Sequence, residues 1–327
     1  MGVLLRERVP LRMPVSILID PSNRCNFKCR FCPTGDKELL SAIGRKETVM
    51  GFDQFKKIIN DLGSWIESES KRPNNIGLYK DGEPLINKRI IDFIRYAVEA
   101  KVSERVYMTT NGALLNTGLS EEIVDSGLTH IRISVEHVTD SGYTDITRTK
   151  VSYDQILDNV AMMWKAKNKK SSSLHIHAKI VGTYLKDEMI RKFESDFNPI
   201  TDSTTIETIM GWSDSSSHDF SMGLVKHDQK RYSSKLCSQP FSRLAVCANG
   251  DITICCVDWA HSLLLGNVNN TSLKEAWNSE ILRSIRVQHL TGNHHKESPC
   301  INCDYFKNQG VDDNIDSEIN RLKSLYV

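Results

Sequence analysis

Six short runs rich in β-branched and aromatic residues recur through the first two thirds of the chain, and helical periodicity fills the gaps between them. This alternation restricts the fold more than any other feature. The runs are VSILID (15–20), NIGLY (75–79), RVYMTT (105–110), HIRISV (130–135), LHIHAKIV (174–181) and TTIETI (204–209). Between them lie FDQFKKIINDLGSWI (52–66), KRIIDFIRYAVEA (88–100), SEEIVDSG (120–127), SYDQILDNVAMMWKAK (152–167) and KDEMIRKFESDF (186–197). Their apolar residues return at i, i+3 and i+4, as at Phe55, Ile58, Ile59 and Leu62. Start signals stand at Ser120, with Glu122 in the first turn, and at Ser152 before Asp154. Strands alternating with helices predict parallel βαβ units, hence an α/β fold of the partial (β/α)6, TIM-like barrel kind. Such sheets carry their chemistry at the carboxyl ends of the strands.

The pattern changes near residue 213. SDSSSHDFSMGLVKHDQKRYSS (213–234) is polar and aperiodic, and is expected to be a linker between a core at 14–212 and a smaller unit at 235–310. FSRLAVCANGDITICCVDW reads as a β-hairpin turning at Asn249-Gly250. One helix is expected over 272–290, opened by a capping box of Ser272 and Glu275. A helical tail (311–327) closes the chain.

Composition excludes several classes. The chain has 327 residues, with 42 Lys+Arg against 41 Asp+Glu. A net charge of +1 gives no electrostatic case for nucleic acid or an acidic membrane surface. No apolar run approaches the roughly 20 residues that span a bilayer. The start, MGVLLRERVPLRMP, is charged where a secretion signal needs an apolar stretch, so the chain is read as cytosolic. Nine cysteines in a reducing compartment then point to metal binding or catalysis rather than disulfides. They fall into an early group, Cys25, Cys29 and Cys32, and a late group, Cys237, Cys247, Cys255, Cys256, Cys300 and Cys303.

The early group, CNFKCRFC, directly follows the first strand and offers three thiolates where a metal site wants four ligands. Three thiolates on one loop can hold three irons of a [4Fe–4S] cluster and leave one open. A structural zinc completed by a distant ligand is the alternative. The Cys-x3-Cys-x2-Cys spacing resembles the signature of radical S-adenosylmethionine (SAM) enzymes, in which the open iron binds SAM. Other segments agree in order. KDGEP (80–84) resembles that family's GGEP motif, with Asp81 in place of the first Gly. Gly82 would supply the backbone bend, and Glu83 would accept from the SAM ammonium. TTNG (109–112) ends the third strand where the family has a turn facing SAM, which brings in Thr109 and Asn111. RISVE (132–136) ends the fourth, with Ser134 toward the ribose or carboxylate. Phe31 matches the aromatic whose neighbouring backbone contacts adenine. The resemblance covers about residues 14–210.

The late group resembles the shortened SPASM or "twitch" extension of radical SAM proteins, which carries an auxiliary [4Fe–4S] cluster; a zinc-ribbon-like site is the alternative. The expected ligands are Cys237, Cys255, Cys300 and Cys303. Cys247 is expected to be a buried small hydrophobe. Cys256, adjacent to Cys255 on a strand, should point to the other face. It is then core, or a free thiol that returns hydrogen to substrate. Which of Cys255 and Cys256 binds iron stays open.

The resemblance implies SAM, two [4Fe–4S] clusters, a flavodoxin- or ferredoxin-type electron donor and a small-molecule substrate, without nucleic acid or membrane. The architecture resembles dehydrogenases and epimerases of sugars and aminocyclitols, notably the 2-deoxy-scyllo-inosamine dehydrogenase type. It also resembles radical SAM proteins associated with bacterial surface-polysaccharide synthesis, so the resemblance implies a sugar, aminocyclitol or polysaccharide-precursor substrate. Maturation of a ribosomally made peptide is the alternative enzyme reading. About 14 residues precede the first strand, which is short for a peptide-recognition domain and favours a small substrate. A non-catalytic zinc-binding module is the alternative from another class. His175, His177 and Lys179 share one face of the fifth strand, and His294-His295 is expected to be solvated.

Overall fold

The structure is a computed structural model that describes residues 4–207, 234–294, 299–301, 303 and 311–327. Residues 213–233 of the expected linker lie outside the described residues. The strands are β1 (Ser16–Ile19), β2 (Asn75–Leu78), β3 (Arg105–Thr110), β4 (His130–Val135), β5 (His175–Val181), β6 (Ser203–Glu207), β7 (Arg243–Val246), β8 (Asp251–Thr253) and β9 (Leu264–Asn267). The helices in chain order are α1 (Lys37–Ala42), α2 (Phe52–Glu69), α3 (Ile90–Glu99), α4 (Thr117–Asp125), α5 (Asp140–Thr147) and α6 (Tyr153–Lys169). They continue with α7 (Asp187–Phe197), α8 (Gln239–Ser242), α9 (Leu273–Trp277), α10 (Glu280–Thr291) and α11 (Ile319–Tyr326).

The nine strands of the described residues form one sheet in the order β6-β5-β4-β3-β2-β1-β7-β8-β9. β1 to β6 run parallel, each paired with the next, and the sheet does not close, as expected for a partial barrel. The expected C-terminal hairpin is present, but it is not a separate sheet. β7 pairs parallel with β1, from Ser16 opposite Arg243 to Ile19 opposite Val246, and β8 and β9 continue the sheet antiparallel.

Strand alternation separates two faces. Ile17, Ile19, Ile76, Leu78, Val106, Met108, Ile131, Ile133, Ile176 and Ile180 are buried on the face that the helices cover. Tyr107, Thr109, Arg132, Ser134, His177 and Lys179 take the alternate, half-buried positions of the concave face. The apolar stripe of α2, Phe55, Ile58, Ile59, Leu62 and Trp65, is buried, and Phe55 stacks on Phe93 of α3 with ring centres 4.1 Å apart.

Two local expectations change. α4 starts three residues before Ser120, because Asn116 is the cap and accepts from the Leu119 amide; Ser120 is buried within the helix. The single helix expected over 272–290 is two. The Ser272–Glu275 capping box forms, but Asn278 ends α9, and Ser279 caps α10 through the Leu282 amide.

Candidate functional site

The early cysteines occupy the loop after β1, and backbone contacts set its path. The Lys28 amide donates to Thr147 O (2.9 Å) and the Arg30 amide to Ile146 O (2.9 Å), which ties the loop to the end of α5. Phe27 is buried beneath it. The KDGEP turn lies against the same loop, with the Glu83 amide donating to Arg24 O at 2.8 Å. A Cβ on Gly82 would overlap the carbonyl oxygens of Ser22 and Arg24 and lie 2.7 Å from Asn23 C. Only glycine lets the two segments approach so closely. Gly35 plays the same part at the far end of the loop, where a Cβ would lie 2.7 Å from Cys29 O.

Burial sets the chemistry of the three thiols. It pushes Cys25 up to about 12, with the nearby Glu83 carboxylate adding to the effect. Cys29 and Cys32 are raised by burial too, and for Cys29 the charges of Glu136, Cys32 and Cys25 add to it. Three half-buried sulfurs, with Cys25 and Cys29 raised by neighbouring thiols and Cys32 eased only in part by Arg45, are a donor set short of positive charge. A cationic metal centre among them reverses that penalty, so the residues fit an iron–sulfur cluster.

Glu83 and Asn111 meet beside this loop. The Glu83 carboxylate is 2% exposed and accepts from Leu85 N (3.0 Å), Thr110 Oγ1 (2.6 Å) and Asn111 N (2.8 Å). Burial outweighs these bonds and raises it to about 7. Asn111 Nδ2 donates to Asn26 Oδ1 (2.8 Å) and reaches Cys25 Sγ at 3.9 Å. Thr110 therefore joins Glu83, whereas Thr109 points to the concave face and accepts from Arg132 Nε at 3.0 Å. Ser134 stands on that concave face, opposite Lys179 in the register. Phe31 stacks on Tyr184 with centres 6.5 Å apart, and Tyr184 Oη donates to Glu136 O (2.8 Å).

Asp81 turns to a different task. Its carboxylate meets Lys80 Nζ at 2.8 Å, His261 Nε2 at 2.7 Å and Arg45 Nη2 at 3.9 Å. Burial would raise Asp81, but Lys80, Arg45 and His261 together hold it well below the usual carboxylate range. Arg45 donates from Nη1 to Trp259 O (2.9 Å) and from Nη2 to Thr34 Oγ1 (3.3 Å), and Thr34 Oγ1 donates to Asp81 O (2.5 Å). Cys247 Sγ lies 3.5 Å from His261 Nε2, so this thiol is buried as expected but in polar company. The family resemblance marks Asp81 alone. Arg45 and His261 carry no sequence signal, because their partner Asp81 lies 36 and 180 residues away in the chain.

The late cysteines form a second group. Cys237, Cys255, Cys300 and Cys303 line one hollow with Pro240, Ile254, Leu263, His289 and His294. Burial raises Cys237 and Cys255, and the neighbouring thiols raise them further, the same donor-set signature as in the first group. Cys256 does not line the hollow, but its thiol meets Oε1 of Gln239, a residue of the hollow's wall, at 3.7 Å. The separation of Cys255 from Cys256 does not come from strand alternation, since β8 ends at Thr253 and both lie in the bend beyond it. His294 is buried and stacks on His289 with centres 4.6 Å apart, contrary to its expected solvation; His295 lies outside the described residues.

The family profile described as the radical SAM superfamily matches residues 19–194, and that of the SPASM iron–sulfur cluster-binding domain matches 237–304. A GTP 3',8-cyclase of Clostridium perfringens is 24% identical over 176 residues, 53% of this chain and 48% of that protein. A PqqA peptide cyclase of Bradyrhizobium diazoefficiens is 24% identical over 149 residues, 42% and 34% of the two chains. The chain thus spans about half or less of these curated relatives. BtrN, solved with AdoMet and 2-DOIA, superposes with a TM-score of 0.59 at 16% identity, covering 89% of this chain and 93% of that one. Streptococcus suis SuiB bound to the precursor peptide SuiA gives 0.64 at 14% identity, covering 93% and 72%. Among the described residues no helix is long and apolar enough to cross a membrane. With the profile covering more than half its length, the chain belongs to the radical SAM superfamily and carries a SPASM iron–sulfur domain.

Proposed function

We propose that this radical SAM enzyme is an oxidoreductase that removes hydrogen from a small polar molecule lying against the concave face of the sheet, with dehydrogenation as the outcome. Family membership brings a SAM-binding [4Fe–4S] cluster, an auxiliary [4Fe–4S] cluster and SAM itself. When bound and reduced, that assembly supplies a carbon radical able to abstract hydrogen. Cys25, Cys29 and Cys32 would hold the first cluster, and Cys237, Cys255, Cys300 and Cys303 the second. Glu83 would receive the SAM ammonium, with Asn111 beside it. Gly82 lets the two loops close, and Phe31 would border the adenine. Asp81 has its carboxylate committed to Lys80 and His261 and its carbonyl oxygen to Thr34, so its part would be to shape the turn that carries Glu83. Thr109 and Ser134 would meet substrate or ribose on the concave face. A flavodoxin- or ferredoxin-type protein would deliver the electron.

One observation carries the preference for dehydrogenation: four late cysteines share one hollow, while the Cys256 thiol is hydrogen-bonded to Gln239 of its wall. A second cluster can take the electron left on substrate, whereas epimerisation needs a thiol that returns hydrogen. A peptide substrate is the second reading, favoured by the likeness to SuiB bound to SuiA. Anaerobic turnover with candidate sugars and aminocyclitols in deuterated water tests the preference. The expected product is lighter by two hydrogens and carries no solvent deuterium on carbon. A product of unchanged mass formula bearing solvent deuterium at the reacting carbon would overturn it in favour of epimerisation.

A further inference from the structure

The end of the sheet opposite the cysteine loop holds a cavity of about 430 Å³. It is lined by the first residues of the strands, among them Ser16 of β1, Asn75 of β2, Arg105 of β3, His130 of β4, His175 of β5 and Arg243 of β7. Arg8 and the Asp312-Asp313 pair close its sides, and Arg132 and His177 reach it from the concave face. Floors of parallel sheets ordinarily serve stability alone. A stabilising floor would pair its charges.

This one does not. Arg243 meets Asp313 at 3.8 Å. Among the described residues, no carboxylate lies within ion-pair distance of Arg8, Arg105 or Arg132. Arg132 is held in place without a direct ion pair; the Glu207 charge favours its cationic form, but that carboxylate is engaged by Lys179. Its guanidinium lies 5.1 Å from the Tyr79 ring centre and 5.0 Å from that of Tyr107, and its Nε is fixed on Thr109. The histidines report the same field. Burial lowers His130 below its ordinary range, and His175, Arg105 and Arg132 lower it further. His177 is lowered by burial and then by Arg132. His130 Nδ1 is buried without a hydrogen-bond partner, while His175 Nε2 and His177 Nδ1 share Ser203 Oγ at 2.8 and 2.9 Å.

We propose that this floor is a binding site for the phosphate groups of an organic phosphoester. Forked guanidiniums match phosphate oxygens in pairs, and a doubly charged group offsets the repulsion among the unpaired arginines. The aromatic and imidazole rings around Arg132 suit a flat or ring-bearing remainder. The site also specifies the substrate class, a step that rests on the oxidoreductase reading above. A ligand anchored at Arg8 and Arg105 extends past Arg132 and His177 along the concave face. From Arg132 to Glu136, at the rim, the strand rises about 13 Å, roughly the length of a sugar joined to a diphosphate. The substrate is then a phosphorylated or nucleotide-linked sugar, held by its phosphates at the floor with its sugar toward the cysteine loop.

Calorimetry with inorganic pyrophosphate on the anaerobically reconstituted protein tests the site, and reductive SAM cleavage is measured on the same samples. The site requires saturable pyrophosphate binding that weakens as salt rises, and a loss of about tenfold or more in affinity in Arg105→Gln and in Arg8→Gln. Both side chains lie at the edge of the cavity, so the variants should fold; Arg132→Lys, which keeps the charge but loses the fork, should weaken binding too. Arg6→Gln, on the same N-terminal segment but outside the cavity, should bind as the wild type does. Absent binding, or equal loss in Arg6→Gln and Arg105→Gln, would overturn the site whether or not SAM is cleaved. Specific binding without any SAM cleavage would leave the site standing and sink the oxidoreductase reading.

Discussion

At the scale of single residues, Gly82 and Asp20 carry opposite lessons. Gly82 was legible: a GEP turn after a strand marks a backbone bend, and the bend brings Glu83 N onto Arg24 O. Gly82→Ala places a methyl group against backbone carbonyls that cannot yield, at a cost of about 1–3 kcal/mol. The cysteine loop should be pushed off its seat, so iron analysis after reconstitution should show roughly half the wild-type content, the loss falling on the first site. Full iron content would contradict the close approach. Asp20, just beyond β1, gave no sequence signal. It is fully buried, and burial, with the Asp81 charge adding to it and Lys80 and Arg45 opposing it, raises it to about 7. Because its folded value lies above the unfolded one of 3.8, its proton stabilises the native state. That contribution is complete below about pH 4 and is lost as pH rises through about 7. Thermal unfolding of the wild type should therefore fall in midpoint from about pH 5.5 to about pH 8, and Asp20→Asn should flatten that fall. Identical pH profiles would refute the assignment.

At the scale of elements, β-branched runs located β1 to β6: β3, β4 and β5 alternate buried with half-buried positions, β1 is buried throughout, and the edge strand β6 has no buried position. They located less of the chain beyond β6. β9 has four residues, includes Gly266 and ends in Asn267, so its signal was too short to separate from a loop. The break between α9 and α10 was hidden because the apolar spacing continues across Asn278. The attachment of β7 to β1 was also unreadable, since parallel pairing leaves no turn signature in the chain. Arg45 fixes that attachment from above, spanning Thr34 of the cysteine loop and Trp259 of the late segment. Removing it by Arg45→Ala unties both and leaves Asp81 with one fewer cation. The expected loss is about 1.5–3 kcal/mol in unfolding free energy, read by denaturant titration. Arg45→Lys should recover little, because one ammonium cannot serve both partners at once. Full recovery by lysine would reduce Arg45 to a point charge.

At the scale of the whole molecule, one sheet carries three chemical layers. Three thiols with Glu83 and Asn111 occupy its carboxyl rim, a polar concave face lies below them, and an arginine-rich floor lies at the amino ends. The four-thiol hollow belongs to the segment that extends this same sheet past β1. The rim was legible because its residues come in short local motifs. The floor was not, since Arg8, Arg105, Arg132 and Arg243 are far apart in the chain and only the register gathers them. On the proposed function, the two thiol sets are independent iron–sulfur sites and only the first activates SAM. Replacing Cys25, Cys29 and Cys32 together with alanine, reconstituting anaerobically, and measuring iron and 5′-deoxyadenosine formation tests it directly. The wild type should hold about eight irons and the variant about four, with 5′-deoxyadenosine formed only by the wild type. Zinc in place of iron, or iron lost wholly or not at all in the variant, would contradict it.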